Sequence, residues 1–211
     1  MEKLILKILI LCSIVFLAAC GTVEQEDISG LDPYTKISGA FDKADLNEVS
    51  GIGTIRFSSL LASSNRSLAL KAQLDGPISN SWVAATFYSS DIGLAANNGL
   101  VVRFDRSGIN VIGSVSFNGT TVQMNASRLG AYFPASLDVI IDVKNIAPKA
   151  RVLIWRRDMV TYSVAAADIN SDLGTDVTGT LPTQYGAGSY AGLTVNNATV
   201  TAAKISIAKV Y

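Results

Sequence analysis

The stretch "GLVVRFDRSGINVIGSVSFNGTTV", Gly99 to Val122, decides the fold class. Apolar and polar residues alternate along it, so that Ile109, Val111, Val115 and Phe117 share one face of an extended chain. Two turn signals interrupt the alternation. Asp105–Gly108, "DRSG", supplies a glycine for a positive φ, and Asn118-Gly119 is the dipeptide that a tight hairpin requires. The stretch predicts antiparallel strands joined by short turns.

The pattern continues on both sides. Leu68, Leu70, Ala72 and Leu74 share one strand face, and Leu137, Val139, Ile141 and Val143 share another. Strands are predicted over Ile52–Leu60, Ser67–Leu74, Trp82–Ser89, Leu100–Asp105, Ile109–Phe117, Thr120–Ala126, Leu137–Lys144, Arg151–Trp155, Tyr190–Val195 and Thr199–Val210. No stretch after Ala19 keeps helical periodicity. Short strands, frequent turns and no helices predict one all-β domain over residues 34–211, an antiparallel β-sandwich large enough to fold without disulfides.

The order of these features resembles the concanavalin A-like jelly rolls of the LamG and legume-lectin type. The resemblance covers Phe41 to Tyr211 and is carried by "GLVVRFDRSGINVI" (Gly99–Ile112), by "SLDVIIDVKN" (Ser136–Asn145) followed by "ARVLIW" (Ala150–Trp155), and by the closing strand "ATVTAAKISIAKV" (Ala198–Val210). It implies a non-enzymatic binding module for carbohydrate or another envelope polymer, with a structural or protein-interaction role in the envelope as the alternative. In hydrolases of that family the two working acids come from a Glu-x-Asp-x-Glu-like strand motif. Here Glu48 is the only glutamate after residue 33, and the motif is absent.

At the N-terminus, Leu4 to Ala19 is almost wholly apolar and is preceded or interrupted only by Glu2, Lys3 and Lys7. The span is short for a membrane-crossing helix and is read as a signal peptide over residues 1–19. Leu17-Ala18-Ala19-Cys20 resembles the lipobox of bacterial lipoproteins, which implies that Cys20 becomes the new N-terminus and carries acyl chains such as palmitate. The only other cysteine, Cys12, lies inside the leader, so the mature chain offers Cys20 no disulfide partner. Three acyl chains would anchor the protein firmly, since each buried methylene contributes about 0.8 kcal/mol. Gly21, rather than Asp, follows the cysteine, and the resemblance then implies the outer membrane. The next residues, to Pro33, contain four acids and no base, and are read as a solvated tether with a reach of roughly 20 Å.

Composition narrows the chemistry. Removing Glu2, Lys3 and Lys7 with the leader takes the 17 basic and 17 acidic side chains to 15 and 16, a balance without the basic excess that phosphate-backbone binding needs. There is no histidine, which rules out a Ser–His–Asp triad and removes the commonest general base near neutral pH. Asp138 and Asp142 share a face of one predicted strand; they are read as a solvated sheet face, and as the acids of an atypical glycoside hydrolase only in the weakest alternative.

The candidate ligand-binding residues are Trp155, Arg157, Tyr162, Trp82 and Tyr185, with Tyr88 and Tyr190 as further aromatic candidates. Register decides the meaning of Trp155. Pairing Val143 with Arg151 and Val139 with Trp155 puts the indole on the core face, whereas a slip of one residue moves it to the opposite face beside Asp138. The first register is expected from the partner's apolar set. Asn-x-Ser/Thr triplets at Asn65, Asn118, Asn125 and Asn197 carry little weight for glycosylation in a bacterial lipoprotein.

Asp168, Asn170, Asp172 and Asp176 in "DINSDLGTD" form a candidate Ca²⁺ site with oxygen ligands at alternate positions. Leu173 stands where an EF-hand loop needs Gly, and the competing reading is a polar loop whose side chains make turns. A thermal melt with and without chelator separates the two. A lowered melting temperature marks a calcium site, and coincident melts mark a plain loop.

Overall fold

A computed structural model describes residues 28–58, 66–95, 97–122, 133–146, 149–157 and 189–206. Every regular element among them is a strand: β1 (Gly30–Leu31), β2 (Tyr34–Ala44), β3 (Val49–Phe57), β4 (Arg66–Gln73), β5 (Trp82–Ser89), β6 (Leu100–Ser107), β7 (Asn110–Phe117), β8 (Thr120–Val122), β9 (Phe133–Pro134), β10 (Ser136–Ile146), β11 (Lys149–Arg156) and β12 (Tyr190–Ser206). The longest path of pairing runs β11-β10-β4-β12-β5-β6-β7-β8, with β1 and β3 also paired to β12. All pairings are antiparallel except the short β1–β12 pair.

The meander expected from the opening stretch is present. β6 and β7 pair from Leu100↔Phe117 to Ser107↔Asn110, and the turn between them contains Gly108 at φ 67°. β7 returns into β8 through Asn118 and Gly119 at φ 47° and 80°, the two positive values that a type I′ turn demands. One detail differs: Ile109 is not on the core face with Val111 and Val115 but 85% exposed at the tip of the β6–β7 turn.

β12 joins the two halves of the structure. Its first part lies between β3 and β5, and its last part pairs with β4 and β1. The register slips between Asn196 and Ala198 on the β3 side and between Val200 and Ala202 on the β4 side, and Asn197 has φ 49°. Bulges of this kind bend a strand and increase its twist. The two segments predicted over Tyr190–Val195 and Thr199–Val210 are therefore one strand through residue 206, with its bulge where the sequence suggested a break.

Both halves feed one contiguous core. Leu68 and Leu70 of β4, Val139 and Ile141 of β10 and Val152 and Ile154 of β11 join Val83 and Phe87 of β5, Val102 and Phe104 of β6 and Leu193 of β12. Arg66 is fully buried at the end of the β4 apolar row, with its guanidinium 6.0 Å from the centre of the Tyr88 ring. Tyr88 sits at φ 55° where Phe87 and Tyr88 together oppose Ala191, and the resulting bulge lets both consecutive rings enter the core.

Three further expectations change. Gly30, Leu31 and Asp32 are not tether: Gly30 and Leu31 pair with Ala202 and Ala203, and Leu31 is buried. The β10–β11 register is the slipped one, with Val143↔Val152 and Ile140↔Trp155, so Val152 and Ile154 take the buried positions. Asp142 is not on a solvated face but fully buried.

Burial pushes the Tyr88 hydroxyl up to about 12, against a smaller opposing effect of the Arg66 charge. An unfolded tyrosine ionises near 10, so the stabilisation is complete below that pH and is lost as pH rises toward 12. The melting temperature should fall across this window, and Tyr88→Phe should flatten the fall. An equally steep fall in the variant would contradict this role.

Candidate functional site

The strands β3, β12, β5, β6 and β7 turn their apolar alternate residues inward, which leaves the other set in register on the opposite face. In one row across it stand Ile52, Asn196, Trp82, Asp105 and Ile112; in the next, Thr54, Thr194, Ala84, Arg103 and Ser114; in a third, Arg56, Gly192, Thr86, Val101 and Ser116.

Trp82 is the half-buried anchor of this face. The Arg103 guanidinium lies 4.0 Å from the centre of its ring, and Arg103 Nε donates to both carboxylate oxygens of Asp105 at 2.9 Å. Arg103 and Asp105 are two residues apart on β6, so the strand's period of two puts them on one side, and Asp105 stands directly opposite Trp82. Their side chains are 40% and 37% exposed, and water screens the pair so heavily that it adds little stability. Its effect is to hold the guanidinium over the indole.

Neighbouring polar groups are also held in place. Asn196 Nδ2 donates to the backbone oxygen of Asn80 at 2.9 Å and to its side-chain oxygen at 3.0 Å. The hydroxyls of Thr54 and Thr194, opposite each other on β3 and β12, lie 3.1 Å apart. Farther along, the Arg56 guanidinium is 5.1 Å from the centre of the Tyr190 ring and donates to the backbone oxygen of Ile92 at 3.2 Å.

The loop between β5 and β6 forms a wall over this end. Asp91 accepts hydrogen bonds from the Gly93 and Ala95 amides at 3.0 and 2.9 Å, and the Asn98 side chain accepts one from the Ser90 amide at 2.8 Å. Leu94, at φ 55°, is buried although it lies outside the main core cluster. It rests on Gly192, where an added Cβ would lie 2.3 Å from Leu94 Cδ1 and 2.1 Å from the Ile55 oxygen. Only glycine lets the loop come this close.

Of the residues singled out from sequence, Trp82 and Tyr190 belong to this face. Arg157 does not: it is 6% exposed and paired with Asp138 at 3.2 Å, so it is no open grip for a ligand. Trp155 belongs to β11, which reaches β5 only through β10, β4 and β12, and its backbone stands opposite Ile140. Tyr88 is in the core. Cys20, Tyr162, Tyr185, Asp168, Asn170, Asp172 and Asp176 lie outside the described residues. Among the described residues no three acids or cysteines gather as metal ligands. Sequence reasoning missed Arg103, Asp105, Thr54, Thr194, Asn196 and Arg56. The alternation around Arg103 and Asp105 carried a signal, but their neighbours on β3 and β12 follow only from strand order.

No protein-family model matches this sequence, and no curated protein matches it. Among solved structures, the carbohydrate binding module CBM66 from Bacillus subtilis is 13% identical over 85% of this chain and 97% of its own, with a TM-score of 0.45. The VIP36 exoplasmic/lumenal domain in its Ca²⁺/Man3GlcNAc-bound form is 14% identical over 85% of this chain and 84% of its own, with a TM-score of 0.49. The legume lectin-like domain from Entamoeba histolytica is 10% identical over 83% and 90%, with a TM-score of 0.47. The likeness is one of overall architecture and carries no correspondence of site residues.

The backbone amides of Gly93 and Ala95 hold the Asp91 carboxyl below the usual carboxylate range. The loop is therefore stabilised above the unfolded pKa of Asp, and this contribution is lost as pH falls through the lower folded value. The Gly93 and Ala95 amide resonances should titrate together with Asp91 in acid. Asp91→Asn should abolish that titration; its persistence would assign the wall to other contacts.

Proposed function

We propose that this protein is a lipid-anchored, non-enzymatic binding module that takes a carbohydrate chain on the outward face of β3, β12, β5, β6 and β7. The observation that carries the reading is the Trp82–Arg103–Asp105 arrangement beside Asn196, Thr54 and Thr194. A sugar ring offers a C–H face that suits an indole and a rim of hydroxyls that need both donors and acceptors. Asp105 keeps acceptor capacity after binding Arg103, because each carboxylate oxygen has two lone pairs, and the partly exposed Thr194 hydroxyl, backed by the buried Thr54, can donate or accept. The loop at Asp168–Asp176 enters as a candidate Ca²⁺ position, resting on its oxygen spacing alone.

Anchoring rests on Leu17–Cys20 and assigns the protein to the bacterial envelope, with Gly21 favouring the outer membrane. Cys20→Ala should move the protein from the membrane fraction to the soluble fraction; unchanged fractionation would remove the lipid from the proposal.

Retardation in gels containing soluble polysaccharides, preceded by a glycan array, tests binding. Trp82→Ala should weaken it about tenfold or more, as loss of a central aromatic anchor does at other interfaces. Wild-type protein that binds nothing on a broad panel would oppose the carbohydrate reading. A second reading, an envelope protein as partner, is favoured by the exposed isoleucines Ile52 and Ile112 at the two ends of the Trp82 row. Cross-linking in intact cells that captures a stoichiometric protein partner through this face, together with an empty glycan panel, would decide for it.

A further inference from the structure

The two cations on this face are in different states. Arg103 is occupied by Asp105, whereas Arg56 has no carboxylate partner among the described residues and spends one N–H on the Ile92 oxygen. An arginine has five N–H donors in a planar fork, so four remain for a ligand. The group is also preorganised: it lies over the Tyr190 ring, 5.1 Å from its centre, and the wall loop that supplies Ile92 is itself tied by Asp91. The nearest acid of that loop, Asp91, accepts from the Gly93 and Ala95 amides with its two oxygens, and the neighbouring positions in register, Thr54, Gly192 and Thr86, are buried and carry no charge.

From this we infer that Arg56 is a subsite for the carboxylate of an acidic sugar, so the chain bound on this face is a uronic-acid-containing glycan rather than a neutral one. The inference rests on the carbohydrate reading of the same face. Arg56 stands opposite Gly192, which stands opposite Thr86, four residues along β5 from Trp82. Four strand residues and two strand spacings separate the Arg56 and Trp82 backbones by about 16 Å, a span for an oligosaccharide and not for one ring. The partly exposed Thr194 lies between them, backed by the buried Thr54 hydroxyl, where a bridging sugar would need a hydroxyl partner. A carboxylate matches the arginine fork in two parallel hydrogen bonds, which a neutral hydroxyl cannot reproduce.

The test is an NMR titration of the full chain with tetragalacturonate against a neutral hexose tetrasaccharide, with sodium acetate as a carboxylate without a sugar. The uronate tetramer should move the Arg56 Nε–H and Trp82 indole N–H resonances together, and the neutral tetramer should move Trp82 alone. The uronate should bind about five- to tenfold more tightly than its neutral counterpart, as a charge-assisted hydrogen bond in a partly exposed site provides. Arg56→Gln should erase that preference while keeping the Trp82 response, and Arg56→Lys should restore only part of it. A neutral tetramer that moves Trp82 while the uronate tetramer leaves Arg56 unmoved overturns the acidic subsite and leaves the binding module standing. Acetate that moves Arg56 as strongly as the uronate tetramer overturns the link to a sugar. A Trp82 that answers to no sugar overturns the carbohydrate reading itself, and the wild-type resonances decide these cases even where the variants fail to fold.

Discussion

The hydrogen-bond ladder along β12 is the interaction on which the rest depends. This strand of 17 residues contributes to both halves of the sandwich, pairing with β3 and β5 at its start and with β4 and β1 at its end. Its side chains alternate Leu193, Val195 and Val200 into the core with Thr194 and Asn196 outward, and the bulge at Asn197 lets one strand serve two directions. A buried strand leaves no backbone group for water, so each N–H and C=O must find a neighbouring strand. That requirement holds β3 and β5 on its two sides, and with them the outward row from Ile52 to Ile112.

The candidate site is a by-product of this arrangement. Polar and small residues on alternate positions of five strands would be a plain solvated surface if the strands were far apart. In register, they place an indole, a guanidinium, a carboxylate, an amide and two hydroxyls within neighbouring positions. Gly192 adds the asymmetry. By admitting Leu94 against the sheet, it brings the loop after β5 over one end of the face and sets the carbonyl that orients Arg56.

Where the sequence was misleading, the cause is local and physical. β2, Tyr34–Ala44, went unseen because among the described residues it pairs with β3 alone and carries register slips near Ile37 and Asp42, which break the period of two. The "VLIW" run of β11 is apolar at both parities, so alternation could not choose between Val152 with Ile154 and Leu153 with Trp155. Asp142 looked solvated because a single strand shows which residues share a face but not what covers that face. Its complete burial belongs to the assembly.

By itself the sequence determined the fold class, the two tight turns of the β6–β8 meander and most strand locations, because period-two alternation and Asn-Gly chemistry are written within a few consecutive residues. Its lack of histidine likewise narrowed the chemistry without any structure. Tertiary structure decided the joining of β12 through its bulge, the register that moved Trp155 from Val139 to Ile140, and the burial of Arg157 against Asp138. It also decided the company kept by Trp82. The physical reason is distance along the chain: Thr54 and Thr194 are 140 residues apart in sequence and 3.1 Å apart in space, and no local pattern encodes such a pairing.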